Sequence, residues 1–220
     1  METIISSKRR LGAWAGILAP IIFVGVFMLE SALRPGYDPM SQYVSELSLG
    51  PRGWVQIGNF VLVGLLLLLF ADAVRTEFKD GKASRFGPIL LMISALALLA
   101  SGPLVMDPAS TPRDQWTWHG ILHQLIGALG FFTLAPVICI VFWRRFREDK
   151  QWQSLSAWTV TSTVIILIAI VLLGMVPAPP ASANNFTPWA GLIQRTVITT
   201  FMAWVFTFAL ALRRISKAQN

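Results

Sequence analysis

The chain has 220 residues, 55% of them hydrophobic and 13% charged, with a mean hydropathy of +0.62 and a formal net charge of +7. A soluble domain of this size would have too little polar surface at that composition, and in lipid only helices or closed barrels satisfy the backbone. The positive excess lies in short segments beside apolar runs, where anionic lipid headgroups are the natural counterions, so nucleic acid is not expected as a partner, and the single cysteine, Cys139, excludes a disulfide framework or a cysteine metal cluster.

Six apolar runs follow in chain order, at 11–33, 54–74, 86–106, 118–143, 155–176 and 189–212. Each suffices for a membrane helix, which takes about 20 residues. The runs are continuous rather than alternating, so they read as helices and not as barrel strands. The expected fold is therefore an all-α integral membrane bundle of six transmembrane helices, one domain over 1–220 with no soluble appendage. The first run is too long for a signal peptide and lacks a small-residue cleavage site, so it reads as a retained span.

Basic residues orient the bundle. Fourteen of the 18 Lys and Arg side chains fall in four clusters: Lys8, Arg9 and Arg10; Arg75, Lys79, Lys82 and Arg85; Arg144, Arg145, Arg147 and Lys150; Arg213, Arg214 and Lys217. The remainder are Arg34, Arg52, Arg113 and Arg195. The positive-inside bias then places both termini in the cytoplasm and turns the first, third and fifth connections outward, the last of these containing Ser182. Trp54, Trp116, Trp118 and Trp189 fall at the expected outer boundary and Trp14, Trp143, Trp152 and Trp158 at the inner one, as amphipathic rings do at headgroup level. Trp204 alone lies deep in a span, as packing or as a ligand contact. The cytoplasmic loops are short and basic with no nucleotide-binding pattern, so nothing supports an ATP-driven role.

The first outer loop, 34–53, is too patterned for a passive link. Asp38 then Pro39 fits a helix N-cap with proline at the first helical position, and Gly50 then Pro51 fits a stop. Between them Met40, Tyr43, Val44 and Leu47 recur at i, i+3, i+4 and i+7, one apolar stripe on a short interfacial helix lying over the mouth of the bundle. Gln42, Ser45, Glu46 and Ser48 fall on its other faces, where Glu46 either meets water or enters a polar site.

His119 and His123 are the only histidines, and their i, i+4 spacing puts them on one face of the fourth helix, about 6 Å apart along the axis. Glu46, Asp107, His119, His123, Gln194 and Arg195 all fall at one expected depth. Ionisable groups in a span are costly and usually mark a functional site. The alternative is a hydrogen-bonded plug in which carboxylates orient the histidines and Arg195 neutralises Asp107 or Glu46. Three chemistries use such a set: a zinc site on His119, His123 and Asp107 with Glu46 as base, a proton relay, or a lipid headgroup site with Arg195 and the histidines facing phosphate. The metal motif is weak, because the zincin helix carries Glu where this chain has Gly120. No serine elbow, cysteine and histidine dyad or glycine-rich phosphate loop is present.

The stretches Tyr37-Asp38-Pro39, Tyr43-Val44-Ser45-Glu46-Leu47-Ser48, Gly53-Trp54 and Phe60 resemble the first signature of the prokaryotic domain-of-unknown-function 998 membrane family. The 102–107 stretch, His119-Gly120-Ile121-Leu122-His123 with Phe131, and Gly191-Leu192-Ile193-Gln194-Arg195 with Trp204 resemble its later ones. The likeness covers nearly the whole chain, with one departure at Pro103-Leu104-Val105-Met106, where a Phe-Pro pair is expected before Asp107. More distantly, the acid-containing turn before the second helix and the histidine opening the fourth are similar to the DRAM and Sfk type of six-helix eukaryotic proteins, linked to autophagy and phospholipid organisation. The resemblance implies six helices and a shared outer polar site, and carries no settled activity. The sequence thus points to a multi-pass protein of the bacterial inner membrane whose outer-leaflet pocket, built from Glu46, Asp107, His119, His123, Gln194 and Arg195, binds a membrane lipid or other amphiphile. The alternative is a zinc-dependent membrane hydrolase or transferase using the same cluster. Transport is less favoured, since Pro20, Pro88, Pro103 and Pro136 do not mark matched broken helices of an inverted repeat.

Overall fold

The computed structural model describes residues 2–177 and 183–218; Ser182 lies outside the described residues. Every described secondary-structure element is helical. The main helices are α1 (Glu2–Leu33), α2 (Gly53–Glu77), α3 (Phe86–Ala100), α4 (Trp118–Leu125), α5 (Leu134–Phe146), α6 (Ser156–Gly174) and α7 (Ala190–Ala218). A π-helical segment, Ile126–Phe132, joins α4 to α5, so Trp118–Phe146 is one span. Among the described residues five spans are long and apolar enough to cross a membrane: Ser7–Leu33, Gly53–Glu77, Trp118–Phe146, Gln153–Gly174 and Thr187–Ile215. α3 is the shorter apolar helix between them. The chain is a multi-pass membrane protein.

The helices form a closed ring in chain order. Each packs on its neighbour in sequence, the fourth span reaching α3 through both its π segment and α5, and α7 returns to pack on α1. Small residues allow the tightest approach. A Cβ on Gly12 would stand 2.3 Å from that of Ala73, and one on Gly16 would stand 2.4 Å from the Phe70 ring and 2.8 Å from the Ala209 Cβ. This Gly-x-x-x-Gly face thus lets α1 lie directly against α2 and α7, where lipid offers no hydrophobic drive and close packing does the work.

At the basic end the ring is filled by aromatic side chains. Phe78 packs on Trp152 at 4.9 Å between ring centroids, Phe142 on Phe208 at 5.0 Å, and Phe146 stacks on Trp152 at 5.8 Å. Trp152 is only 2% exposed, so it is a core residue and not the interfacial ring expected from its place in the sequence. Trp54, Trp118, Trp189 and Trp14 are exposed, as expected of boundary rings. Trp204 is buried and donates from Nε1 to the Thr159 hydroxyl at 3.0 Å, which settles it as packing.

Two departures from the expected helices shape the opposite end, which carries the 34–52 loop. The third run was expected to stay helical through Met106, yet α3 stops at Ala100. Proline disfavours the helical conformation in the residue before it, and Gly102-Pro103 ends the helix, leaving 105–108 without regular structure. The fourth run was expected as one α-helix; instead the carbonyl of Ala128 accepts both the N–H and the hydroxyl of Thr133, at 2.9 and 2.8 Å, across a widened turn. Pro136 follows shortly after and has no N–H to give the carbonyl four residues back.

Candidate functional site

The 34–52 loop covers the ring as a compact knot. The Asp38 carboxylate accepts from the Met40 N–H at 3.0 Å and the Ser41 hydroxyl at 2.5 Å, closing a turn rather than starting an α-helix. Those two hydrogen bonds, the Ser41 one foremost, hold the exposed Asp38 carboxyl below its ordinary value. Regular structure resumes only as a 3₁₀ helix, Val44–Ser48. Val44 and Leu47 are buried, as the stripe required, whereas Met40 is exposed. Glu46 is also buried. Its carboxylate accepts from the Tyr43 N–H at 2.8 Å and from Gln42 Nε2 at 3.3 Å, and its carbonyl accepts from Arg34 at 2.6 Å. A short 3₁₀ helix has too few turns to keep a solvent face of its own, so Glu46 knits the loop internally.

Gln194 and Arg195, in the second turn of α7, fasten this knot to the bundle. Gln194 Oε1 accepts from the Val44 N–H at 2.8 Å. Arg195 Nη1 donates to the carbonyls of Pro39 and Gln42 at 2.8 and 2.7 Å and, more distantly, to that of Gly191 at 3.2 Å. Its Nη2 donates to the Tyr37 hydroxyl at 2.5 Å and to Ser31 at 3.3 Å. Tyr37 passes the chain on to the Tyr43 carbonyl at 2.8 Å. Burial raises the Tyr37 phenol above its ordinary value, with the adjacent guanidinium pulling the other way. Among the described residues no carboxylate stands within ion-pair distance of Arg195, so it neutralises neither Glu46 nor Asp107. Its partners are backbone and hydroxyl oxygens. The planar fork suits this task, because it reaches several acceptors at fixed angles.

Asp107, His119 and Thr117 form a second, separate joint where α4 begins. The Asp107 carboxylate accepts from the Thr117 N–H and hydroxyl, both at 2.8 Å, and the Thr117 hydroxyl oxygen accepts from the Gly120 N–H at 3.2 Å, a conventional N-cap. Gly120 is required here: a Cβ would lie 2.0 Å from Asp107 Oδ2. The frayed end of α3 supplies the histidine partners. His119 Nδ1 meets the Val105 carbonyl at 2.8 Å and His123 Nδ1 meets that of Leu104 at 2.6 Å. The expected zinc set of His119, His123 and Asp107 is thus not assembled. Both Asp107 oxygens and both Nδ1 atoms are engaged in the joint, and among the described residues no three His, Cys, Asp or Glu side chains stand so as to share a metal.

Between the two joints lies a cavity of about 40 Å³, bounded by Phe23, Phe60, Leu98, Phe131, Ile198, His123 and Gln194, with Val44 and Ser45 as its roof and Ser101, Gly127 and Phe132 at its sides. Of the six residues singled out in the sequence, His123 and Gln194 border this cavity, Glu46 and Arg195 hold its roof, and Asp107 and His119 anchor its wall. Sequence reasoning took Tyr37 only as part of the family signature and passed over Ser31 and Thr117, although Thr117 carries a readable signal as a hydroxyl residue directly before a helix. It also passed over Glu30, an acid inside the first apolar run, which takes a two-pronged bond from Arg52 at 2.5 and 3.0 Å and ties α1 to the start of α2.

Neither the curated proteins nor the solved structures include a match to this chain. A family model described as "Protein of unknown function (DUF998)" matches residues 17–211, a stretch that takes in part or all of every helix and all of the residues of both joints and the cavity. The chain therefore belongs to the DUF998 family.

Proposed function

We propose that this protein lies in the bacterial inner membrane with both termini cytoplasmic, and that its outward cavity binds one end of a lipid or similar amphiphile. The observation that carries this reading is the cavity itself: mostly apolar walls within a membrane bundle, with the polar side chains His123 and Gln194 brought to it from different helices and Ser45 and Ser101 also at its border. Apolar pockets with a few convergent polar groups are the usual form of small-molecule sites. A water needs roughly 10–15 Å³ on this measure, so about 40 Å³ admits a terminal group of a few heavy atoms. The rest of the molecule lies outside. Gly127 and Phe132 border the cavity and are also partly exposed, so the wall is thin on that side, and beyond its own turn of helix no atom comes within 4 Å of where a Gly127 side chain would begin. An acyl tail leaves there into the surrounding lipid. The π segment that widens the helix at this point is of the kind found mostly at functional positions.

Native mass spectrometry of the purified protein, with identification of what it retains, tests the reading. The expected result is one amphiphile per chain in the wild type and its loss in Ile198→Phe, which fills the cavity from a buried position on α7. Absence of retained amphiphile, or equal retention in the variant, would refute it.

A further inference from the structure

The cavity wall also specifies which kind of polar end it accepts. None of the residues bordering it carries a fixed charge. Arg195 does not border the cavity, and its terminal N–H groups are directed to the Pro39, Gln42 and Gly191 carbonyls and to the Ser31 and Tyr37 hydroxyls, with only its buried Nε–H left without a partner. An ionised group entering the cavity would leave water without meeting a counter-charge, a large penalty in an apolar site.

The hydrogen-bonding pattern is equally definite. A carbonyl can only accept, so the 2.6 Å contact between His123 Nδ1 and the Leu104 oxygen puts the ring proton on Nδ1. In the neutral ring Nε2 is then an acceptor, and the Ser101 carbonyl is a second backbone oxygen beside the ring. Gln194 is oriented in the same way. Its Oε1 is taken by the Val44 N–H at 2.8 Å, which leaves the Nε2 amide as a donor with no partner among the described residues. One small cavity therefore presents an acceptor from the fourth span and a donor from α7.

We infer that the cavity takes the neutral hydroxyl end of an amphiphile, as in a monoacylglycerol or a long-chain alcohol, with the hydroxyl donating to His123 Nε2 and accepting from the Gln194 amide. A hydroxyl is the smallest group that does both, and it fits the space. A phosphate diester or an ionised carboxylate has no proton for Nε2 and no cation to meet. This rests on the amphiphile-binding reading above and replaces the phosphate contact that Arg195 first suggested.

The test uses the full-length protein in phosphatidylcholine nanodiscs containing equal mole fractions of 1-monooleoylglycerol and methyl oleyl phosphate, a single-tailed phosphate diester, read by native mass spectrometry. The wild type should retain the glyceride at least roughly tenfold over the phosphate, the size of one buried hydrogen bond set against an uncompensated charge. His123→Phe keeps an aromatic ring beside Phe60 but removes the acceptor, and should lower glyceride retention by about tenfold, read at a temperature where the variant is still folded, because the Leu104 carbonyl also loses its donor. Ile198→Phe should abolish retention of either probe. If the phosphate is retained as well as the glyceride, or His123→Phe retains the glyceride as the wild type does, with Ile198→Phe still blocking both, the hydroxyl assignment is wrong and the amphiphile reading stands. If neither probe is retained, or Ile198→Phe makes no difference, both fail.

Discussion

Replacing Arg195 with leucine should free the roof of the cavity while leaving the bundle folded. The guanidinium is the shared donor for the Pro39 and Gln42 carbonyls and for the Tyr37 hydroxyl, at 2.8, 2.7 and 2.5 Å. An acceptor left without a donor in a buried place costs about 1–3 kcal/mol. Pro39 is exposed and Gln42 half-buried, so water relieves part of that cost at the carbonyls, and a net loss of about 2 kcal/mol is the reasonable figure. α7 itself loses no ion pair and exchanges a buried cation for an apolar side chain, which offsets the loss within the bundle. The deficit therefore falls on the loop. Because each 1.4 kcal/mol is a factor of about ten, amide protection over 43–49 should fall roughly thirtyfold. The reporters are the Val44, Glu46 and Leu49 N–H groups, each of which donates within the knot or to Gln194. Hydrogen exchange in detergent, resolved by peptide, reads this directly, with peptides from α2 and α6 as internal controls. Unchanged protection of 43–49, or an equal loss along the whole chain, would refute the assignment of Arg195 as the loop's fastening.

Gly120→Ala should destabilise the protein by about 1–2 kcal/mol through loss of the Asp107 and Thr117 cap, whereas helix propensity alone predicts a gain of about 0.8–1 kcal/mol; the sign of the change in thermal unfolding decides between them. Tyr37 and Tyr43 are the chain's two tyrosines, and burial raises both above the ordinary phenol value. Their contribution to stability is complete below the unfolded value of about 10 and is lost as pH rises through the higher folded one. An absorbance titration near 295 nm should show no phenolate step at the usual value, and a normal step would contradict their burial. For orientation, a cysteine at exposed Ser110 should react with an impermeant thiol reagent from outside and one at Ser84 should not, with Cys139 silent because it is buried. The opposite pattern would reverse the proposed topology.

The helices were readable because lipid imposes one requirement, long continuous apolar runs, that hydropathy records directly. Their interruptions were not. Pro103 ends α3 early, but the run stays apolar through Met106, so the sequence pattern continues where the backbone does not. The π segment is likewise invisible, since 126–132 is uniformly apolar or glycine. Depth along the membrane was the basis for grouping Glu46, Asp107, His119, His123, Gln194 and Arg195, and depth was informative: all six lie around one end of the ring. Angular position about that ring cannot be read from depth, and it separates Asp107 and His119 at the α4 joint from Glu46 and Arg195 at the loop. The Glu46 outcome had a different cause. An α-helix running from Asp38 to Gly50 would have given it a wet face, and the Asp38 turn shortened the helix to Val44–Ser48. Trp152 was misplaced because an aromatic residue near a basic loop reads as an interface ring until the packing of Phe78 and Phe146 on it is known.

The central claim, that the space beneath the Val44–Ser48 roof is a binding site for the end of an amphiphile, is tested most directly by a high-resolution density map of the wild-type protein in lipid nanodiscs. The account predicts elongated density that begins between His123 and Gln194 and leaves the bundle past Gly127. A cavity filled only by isolated water peaks, with lipid density confined to the outer faces of the helices, would contradict it.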